Sequence, residues 1–232
     1  MTASPSSTLS FVIPVLNEAP RISQLLAMLA ADFPDAERIV VDGGSADTTV
    51  ACALPGATGL LLGKAGRAAQ MNLGAGSACG DYLLFLHADT RPLFTAHALA
   101  RALQGQPAWG FFEVRLDGKR WVFRVIERAM SLRSKVTGIG TGDQLLYVRR
   151  DVFEQAGGFA AIPLMEDIEL CQRLRRLHQP RVPTAMTVET ASRRWEQRGV
   201  IRTVVHMWTL RLGYALGISP QRLWHSYYGT RP

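Results

Sequence analysis

The chain has 232 residues, 47% of them hydrophobic, and a formal net charge of +7. That is enough apolar material for one sizeable core and excludes a disordered chain. Its three cysteines, Cys52, Cys79 and Cys171, have neither metal-ligand spacing nor the even number a disulfide framework needs, and no run of about 18 uncharged apolar residues predicts a membrane span.

The N-terminal stretch MTASPSSTLS has no basic start and no apolar h-region, so no signal peptide is expected. With reduced thiols, this points to a cytoplasmic protein. Next, LSFVIPV reads as a short buried strand ending at Asn17-Glu18. A helix follows, with Pro20 in its first turn and Ile22, Leu25, Leu26 and Leu29 on one face. ERIVVDGG is a second strand, and GSADTTVACA offers a cap at Ser45 with Asp47 in the first turn. GRAAQMNLGAGSA is a small-residue helix, and DYLLFLHAD is read as the third strand. This alternation predicts an α/β fold with a mostly parallel central sheet and helices on both faces.

The second half is less regular. WGFFEVRL and GDQLLYVRR read as strands, while WVFRVIERAMSLRS and EDIELCQRLRRL read as helices. After about Arg198 the chain becomes helical to its end. We therefore expect a main domain over residues 1–198 and a helical extension over 199–232. In that extension Ile201, Val204, Val205, Trp208, Leu212 and Ala215 form an apolar stripe. It suits docking on the domain, on a second subunit in an oligomer, or on an anionic membrane surface as a peripheral contact.

In an open parallel sheet, ligands sit beyond the carboxyl ends of the strands. Here those ends carry Asn17-Glu18, Asp42-Gly43-Gly44 and His87-Ala88-Asp89. Each alone also fits helix capping or a turn, but capping does not require all three to fall at equivalent ends. Carboxylates there accept hydrogen bonds from a base or ribose. Asp89, with His87 two residues earlier on the same strand face, suits a divalent cation. Lys64 and Arg67 flank a glycine at a helix start, where backbone N–H groups favour anions. The GxGxxG pattern is absent after the first strand, which argues against a nicotinamide enzyme. Nearly all the positive charge is arginine, whose planar fork suits phosphate. The arginines do not alternate with spaced aromatics, so nucleic acid is not an expected partner. In EDIELCQRLRRL, Asp167 shares a helical face with Leu170, Cys171 and Leu174. Partial burial would raise its pKa, as suits a general base, while the helix N-terminus favours its charged form.

VIPVLNE, VVDGGSADTT, GRAAQMNLGA, LFLHADT and MEDIELCQRLRR occur in the order found in family 2 glycosyltransferases, and residues 9–195 resemble that family. GDQLLYVRRDVFEQAGGF followed by MEDIEL resembles a subgroup of small, soluble bacterial members. The resemblance implies a GT-A fold and an inverting transfer from a nucleotide-diphosphate sugar, most often UDP-linked, to an unknown acceptor. It implies that Pro14, Asn17 and Glu18 line the nucleotide pocket and that Asp42 contacts base or ribose. Lys64 and Arg67 would lie near base or diphosphate, and Asp143 and Gln144 of GDQLLYVRR would join the substrate site. Asp89 matches the last acid of the DxD metal motif, with His87 in place of the first, a change that tilts preference from Mg²⁺ toward Mn²⁺. Asp167 of the Glu166-Asp167 pair matches the catalytic base, and Arg193, Arg194 and Trp195 match an Arg-Trp motif over the diphosphate. The same residues would also serve a non-catalytic nucleotide-sugar sensor on this fold.

Overall fold

The computed structural model of the chain describes residues 7–229, without the side chains of Arg194 and Arg198. Its first half alternates strand and helix. β1 (Leu9–Val15) leads into α1 (Ala19–Asp32), β2 (Glu37–Asp42) into α2 (Thr49–Ala53), and β3 (Gly59–Leu62) into α3 (Arg67–Ser77) and β4 (Tyr82–Phe85). β1 and β4 are buried almost throughout, as strands covered on both faces must be. α1 buries the expected Ile22, Leu25, Leu26 and Leu29 stripe. β3 escaped the sequence reading: its four residues on the sheet edge, three half-exposed and Leu62 exposed, are too few to show a period. DYLLFLHAD is therefore the fourth strand.

The second half runs β5 (Thr90–Pro92), α4 (Ala96–Ala102), β6 (Trp109–Gly110), β7 (Glu113–Leu116) and α5 (Trp121–Thr137). A single 3-10 turn, Gly142–Gln144, precedes β8 (Leu146–Arg149) and α6 (Arg150–Gln155). Then come α7 (Glu166–Leu177), β9 (Thr187–Thr190), α8 (Arg193–Arg198), α9 (Val200–Ala215) and α10 (Pro220–Tyr228).

Six strands form the main sheet in the order β3-β2-β1-β4-β8-β6. The first four are parallel, β8 is antiparallel to them, and β6, antiparallel to β8, runs in the direction of the first four. The strand order reverses at β1, which lies between β2 and β4, and this opens a crevice beyond their carboxyl ends. A smaller sheet, β5-β9-β7, stands beside it. WGFFEVRL is not one strand but two in different sheets. The buried Phe111 and Phe112 point into opposite cores, so the chain changes layer between them. Phe11 and Ile13 of β1 pack with α1 on one face, while Val12 packs with α3 and α7 on the other. α3 lies so close to the sheet that a Cβ on Gly74 would sit 2.5 Å from Val12 Cγ1.

The C-terminal extension is two helices, and its packed face is not the expected stripe. Leu210 and Leu223 are buried against Met165 and Ile168 at the start of α7, while Ile201, Val205, Trp208 and Leu212 face solvent. Among the described residues no helix is long and apolar enough to cross a membrane.

Candidate active site

Where β1 stops, Asn17 adopts a left-handed conformation (φ 56°), which asparagine tolerates better than most residues. Its N–H donates to Ser45 Oγ at 2.9 Å, and its Oδ1 accepts from the Ala46 N–H at 2.8 Å. The Glu18 N–H donates to Thr49 Oγ1 at 2.8 Å, and the Glu18 carboxylate takes Arg21 Nη1 at 2.7 Å. Asn17 and Glu18 thus lace the loops after β1 and β2 together. Asp42, buried at the end of β2, accepts the N–H groups of Gly44 and Ser45 at 2.9 Å each and the Ser45 hydroxyl. It organises its own turn, with little acceptor capacity left for a base or ribose. Gln70 of α3 completes the frame: its Nε2 donates to Val15 O at 2.9 Å and Val41 O at 2.8 Å, tying the ends of β1 and β2. Pro14 is half-buried within β1, and Lys64 stands exposed in the loop before α3.

The crevice itself consists of three adjoining cavities. The largest, of about 370 Å³, runs from Arg21 past Asp89 to Asp117 and Glu189. The second is lined by Arg21, Arg67, His87, Asp89, Asp143 and Arg193. The third shares Arg67, His87 and Asp143 with the second and adds Glu166, Asp167 and Arg211. Three guanidinium groups from α1, α3 and α8 therefore meet one cavity beside Asp89. Solvent reaches Arg67, yet neighbouring groups crowd its guanidinium. Crowding alone disfavours the charge, but Tyr228, Glu166 and Asp143 outweigh it, so the pKa of Arg67 lies above the ordinary arginine value.

Asp89 is exposed on the crevice, and its backbone carbonyl accepts the Ala191 N–H at 3.1 Å, which extends the β5–β9 pairing of the smaller sheet by one residue. His87 lies with Nδ1 3.6 Å from Asp143 Oδ1. Its ring packs so tightly on Gly142 that a Cβ there would come within 2.2 Å. Among the described residues no three His, Cys, Asp or Glu side chains converge on a metal position. A magnesium-type site completed by substrate phosphates needs only one or two carboxylates, so Asp89, with His87 beside it, fits a cation that arrives with a diphosphate.

Met165 turns the chain into α7 in a left-handed conformation (φ 70°), an arrangement that costs about 1–3 kcal/mol and is found where a site demands it. It delivers Glu166 and Asp167 to the third cavity. Asp167 Oδ2 accepts the Gly142 N–H at 2.9 Å. The sequence places the buried carboxylate at Asp167, whereas the structure buries Glu166 and leaves Asp167 half-exposed. The reason is the helix phase: Glu166 lies in line with Leu170 and Leu174, one turn and two turns on. Burial, reinforced by the charge of Asp167, pushes the Glu166 carboxyl up to about 7.

Gln144 is fully buried. Its Oε1 accepts from Ser134 Oγ at 2.7 Å and its Nε2 donates to Phe112 O at 3.2 Å, so it braces the turn that carries Asp143 and does not reach the crevice. Trp195 is buried with Phe123 and Ile126 and shows one edge to the second cavity; Arg193 is exposed there. The side chain of Arg194 lies outside the described residues. Arg21, Gln70 and Arg211 escaped the sequence reading. Each left a signal: Arg21 sits three residues after Glu18, Gln70 is polar within a small-residue helix, and Arg211 interrupts an apolar one. Among the described residues Arg211 Nη1 is buried without a hydrogen-bond partner, in the cavity that the two acids also line.

This architecture is that of GT-A glycosyltransferases. A mannosyltransferase from Pyrobaculum calidifontis, solved with GDP-Man and Mn²⁺, superposes with a TM-score of 0.63 at 22% identity, over 88% of this chain and 60% of the other. S. aureus TarS in complex with UDP-GlcNAc gives 0.61 at 16% identity, over 79% and 58%. Glucosyl-3-phosphoglycerate synthase from Mycobacterium tuberculosis, with Mn²⁺, UDP and phosphoglyceric acid, gives 0.54 at 20% identity, over 80% and 68%. The chain thus spans about 60% of the length of the first two. No curated protein matches it in sequence. Residues 10–158 match Glycosyl transferase family 2, and the chain belongs to that family.

Proposed function

We propose that the protein is an inverting glycosyltransferase that moves a sugar from a UDP-linked donor to a hydroxyl acceptor with the help of Mn²⁺ or Mg²⁺. The observation that carries this reading is the adjacency of two cavities. One gathers Arg21, Arg67 and Arg193 around Asp89, and the next holds Asp167 and Glu166. The first suits a diphosphate, the second an acceptor hydroxyl, and the GT-A neighbours include proteins solved with GDP-Man, UDP-GlcNAc and UDP.

Asp89 and His87 would hold the cation, which when bound withdraws charge from the diphosphate oxygens. Arg67 and Arg193 add fixed positive charge where the leaving group becomes more anionic. Asp167, steadied by the Gly142 N–H, takes the acceptor proton as the acceptor oxygen forms its bond to the anomeric carbon. The bond from that carbon to the diphosphate oxygen breaks, and its electron pair leaves with the nucleotide. One displacement inverts the centre. Glu166, next to Asp167 and protonated over much of the pH range below 7, limits the negative charge around the base.

Asp167→Asn keeps the geometry and removes the base. UDP binding, read by thermal shift with Mn²⁺, should stay within about twofold of wild type, while sugar transfer or slow UDP release should fall by about 10²–10⁴-fold. Near-normal turnover would place the base elsewhere. A wild-type protein that binds UDP-sugar but never releases UDP would favour the sensor reading.

A further inference from the structure

Two neighbouring helices turn apolar faces to solvent. On α5, Trp121, Val125, Leu132 and Val136 recur at helical spacing on the exposed side, with Trp121 78% exposed. On α9, Ile201, Val205, Trp208 and Leu212 do the same, with Trp208 59% exposed. The two helices share a small core through Ile126, Met130, Val204 and Met207. A groove of about 270 Å³ runs along their seam, with Val125 on one wall and Trp208 on the other. The two stripes therefore form one continuous apolar surface of a size single-chain soluble proteins seldom leave bare.

The charge around this surface identifies its occupant. Residues 119–137 and 200–215 carry eight arginines and lysines against a single acid, Glu127; the remainder of the chain carries 18 basic and 18 acidic residues. All of the excess positive charge thus lies on the segments that bear the apolar face. Lys119, Arg120, Arg128 and Arg202 are exposed beside it. Apolar stripes with tryptophan, fringed by arginine and lysine, match the boundary between anionic headgroups and acyl chains. A second copy of the chain is disfavoured as the occupant, because two such faces would bring like charges together.

We propose that the α5–α9 face docks on an anionic lipid bilayer. Trp195 and Met207 line both the groove and the donor cavity, so docking holds the mouth of the crevice at the lipid surface.

The test is co-sedimentation of the full chain with vesicles of phosphatidylcholine alone or mixed with phosphatidylglycerol. Binding should appear with the mixed vesicles and fall by at least about tenfold from low to high salt. The double variant Val125→Glu/Trp208→Glu, at exposed positions, should lose it while keeping the wild-type circular dichroism and UDP thermal shift. If that variant does not fold, brominated lipid should quench the wild-type tryptophan fluorescence in mixed vesicles only. Failure of wild type to sediment at low salt, sedimentation of a folded double variant like wild type, absence of quenching, or a wild-type dimer that Trp208→Glu splits would each overturn the proposal. The vesicle assay contains no nucleotide or sugar, so its outcome is separate from that of the transferase reading.

Discussion

At the residue scale the site depends on two adjacent acids with different surroundings. Glu166 is buried and its carboxyl is raised to about 7, so in the fold it keeps its proton at pH values where the unfolded chain has released it. Its contribution to stability is therefore full below about pH 4.5 and is lost as pH rises through about 7, by up to about 3 kcal/mol. Glu166→Gln cannot ionise. Urea unfolding at pH 5.5 and pH 8 should show wild type losing stability between the two and the variant losing much less; equal losses would place the titration elsewhere. Arg67 carries the complementary prediction. Arg67→Ala should weaken UDP binding by about 10–100-fold, the usual effect of losing a hydrogen bond to a charged group, as read by calorimetry. Asp89 was legible as a carboxylate following an apolar strand, and the acid pair as carboxylates opening an amphipathic helix, and both line the crevice. Asn17 and Glu18 direct their polar groups to Ser45, Ala46, Thr49 and Arg21 instead. The assignment of burial to Glu166 rather than Asp167 was not legible. It depends on a left-handed Met165, which sets the helix phase and leaves no periodic trace.

At the element scale, α3 sets the crevice by packing on β1 and β2 without side-chain bulk. Gly74→Val would force a methyl-bearing carbon toward Val12 and Val41, which are 2.5 and 2.9 Å from even the first added atom. Urea unfolding should show a loss of about 2 kcal/mol or more. The amphipathic α1 and α7 were legible from periodicity, since each has enough turns to repeat its pattern. β3 and the break in WGFFEVRL were not: one is too short to show a period, and the other is a change of sheet between two phenylalanines that look alike in sequence. Asp42 and Gln144 show the same limit. A carboxylate or amide near a site reads as a ligand contact, and only the hydrogen bonds reveal that each braces a turn.

At the scale of the molecule, residues from separate parts of the chain converge on one edge of the main sheet. Arg21 comes from α1, Arg67 from α3, Asp89 from the turn between β4 and β5, Asp167 from α7 and Arg193 from α8. The helices after residue 199, read from sequence as an appendage, cover Met165 and Ile168 and supply Met207 and Arg211 to the cavities. Truncation after residue 198 should therefore lower the melting temperature by several degrees and weaken UDP binding; a truncated chain with both unchanged would mark the extension as separate. The most direct test of the whole account is a calorimetric titration of UDP into wild type and Asp89→Ala, with and without Mn²⁺. The account predicts that Mn²⁺ tightens UDP binding to wild type and that this gain disappears in Asp89→Ala. An identical Mn²⁺ response in both proteins, or no UDP binding to wild type, would contradict it.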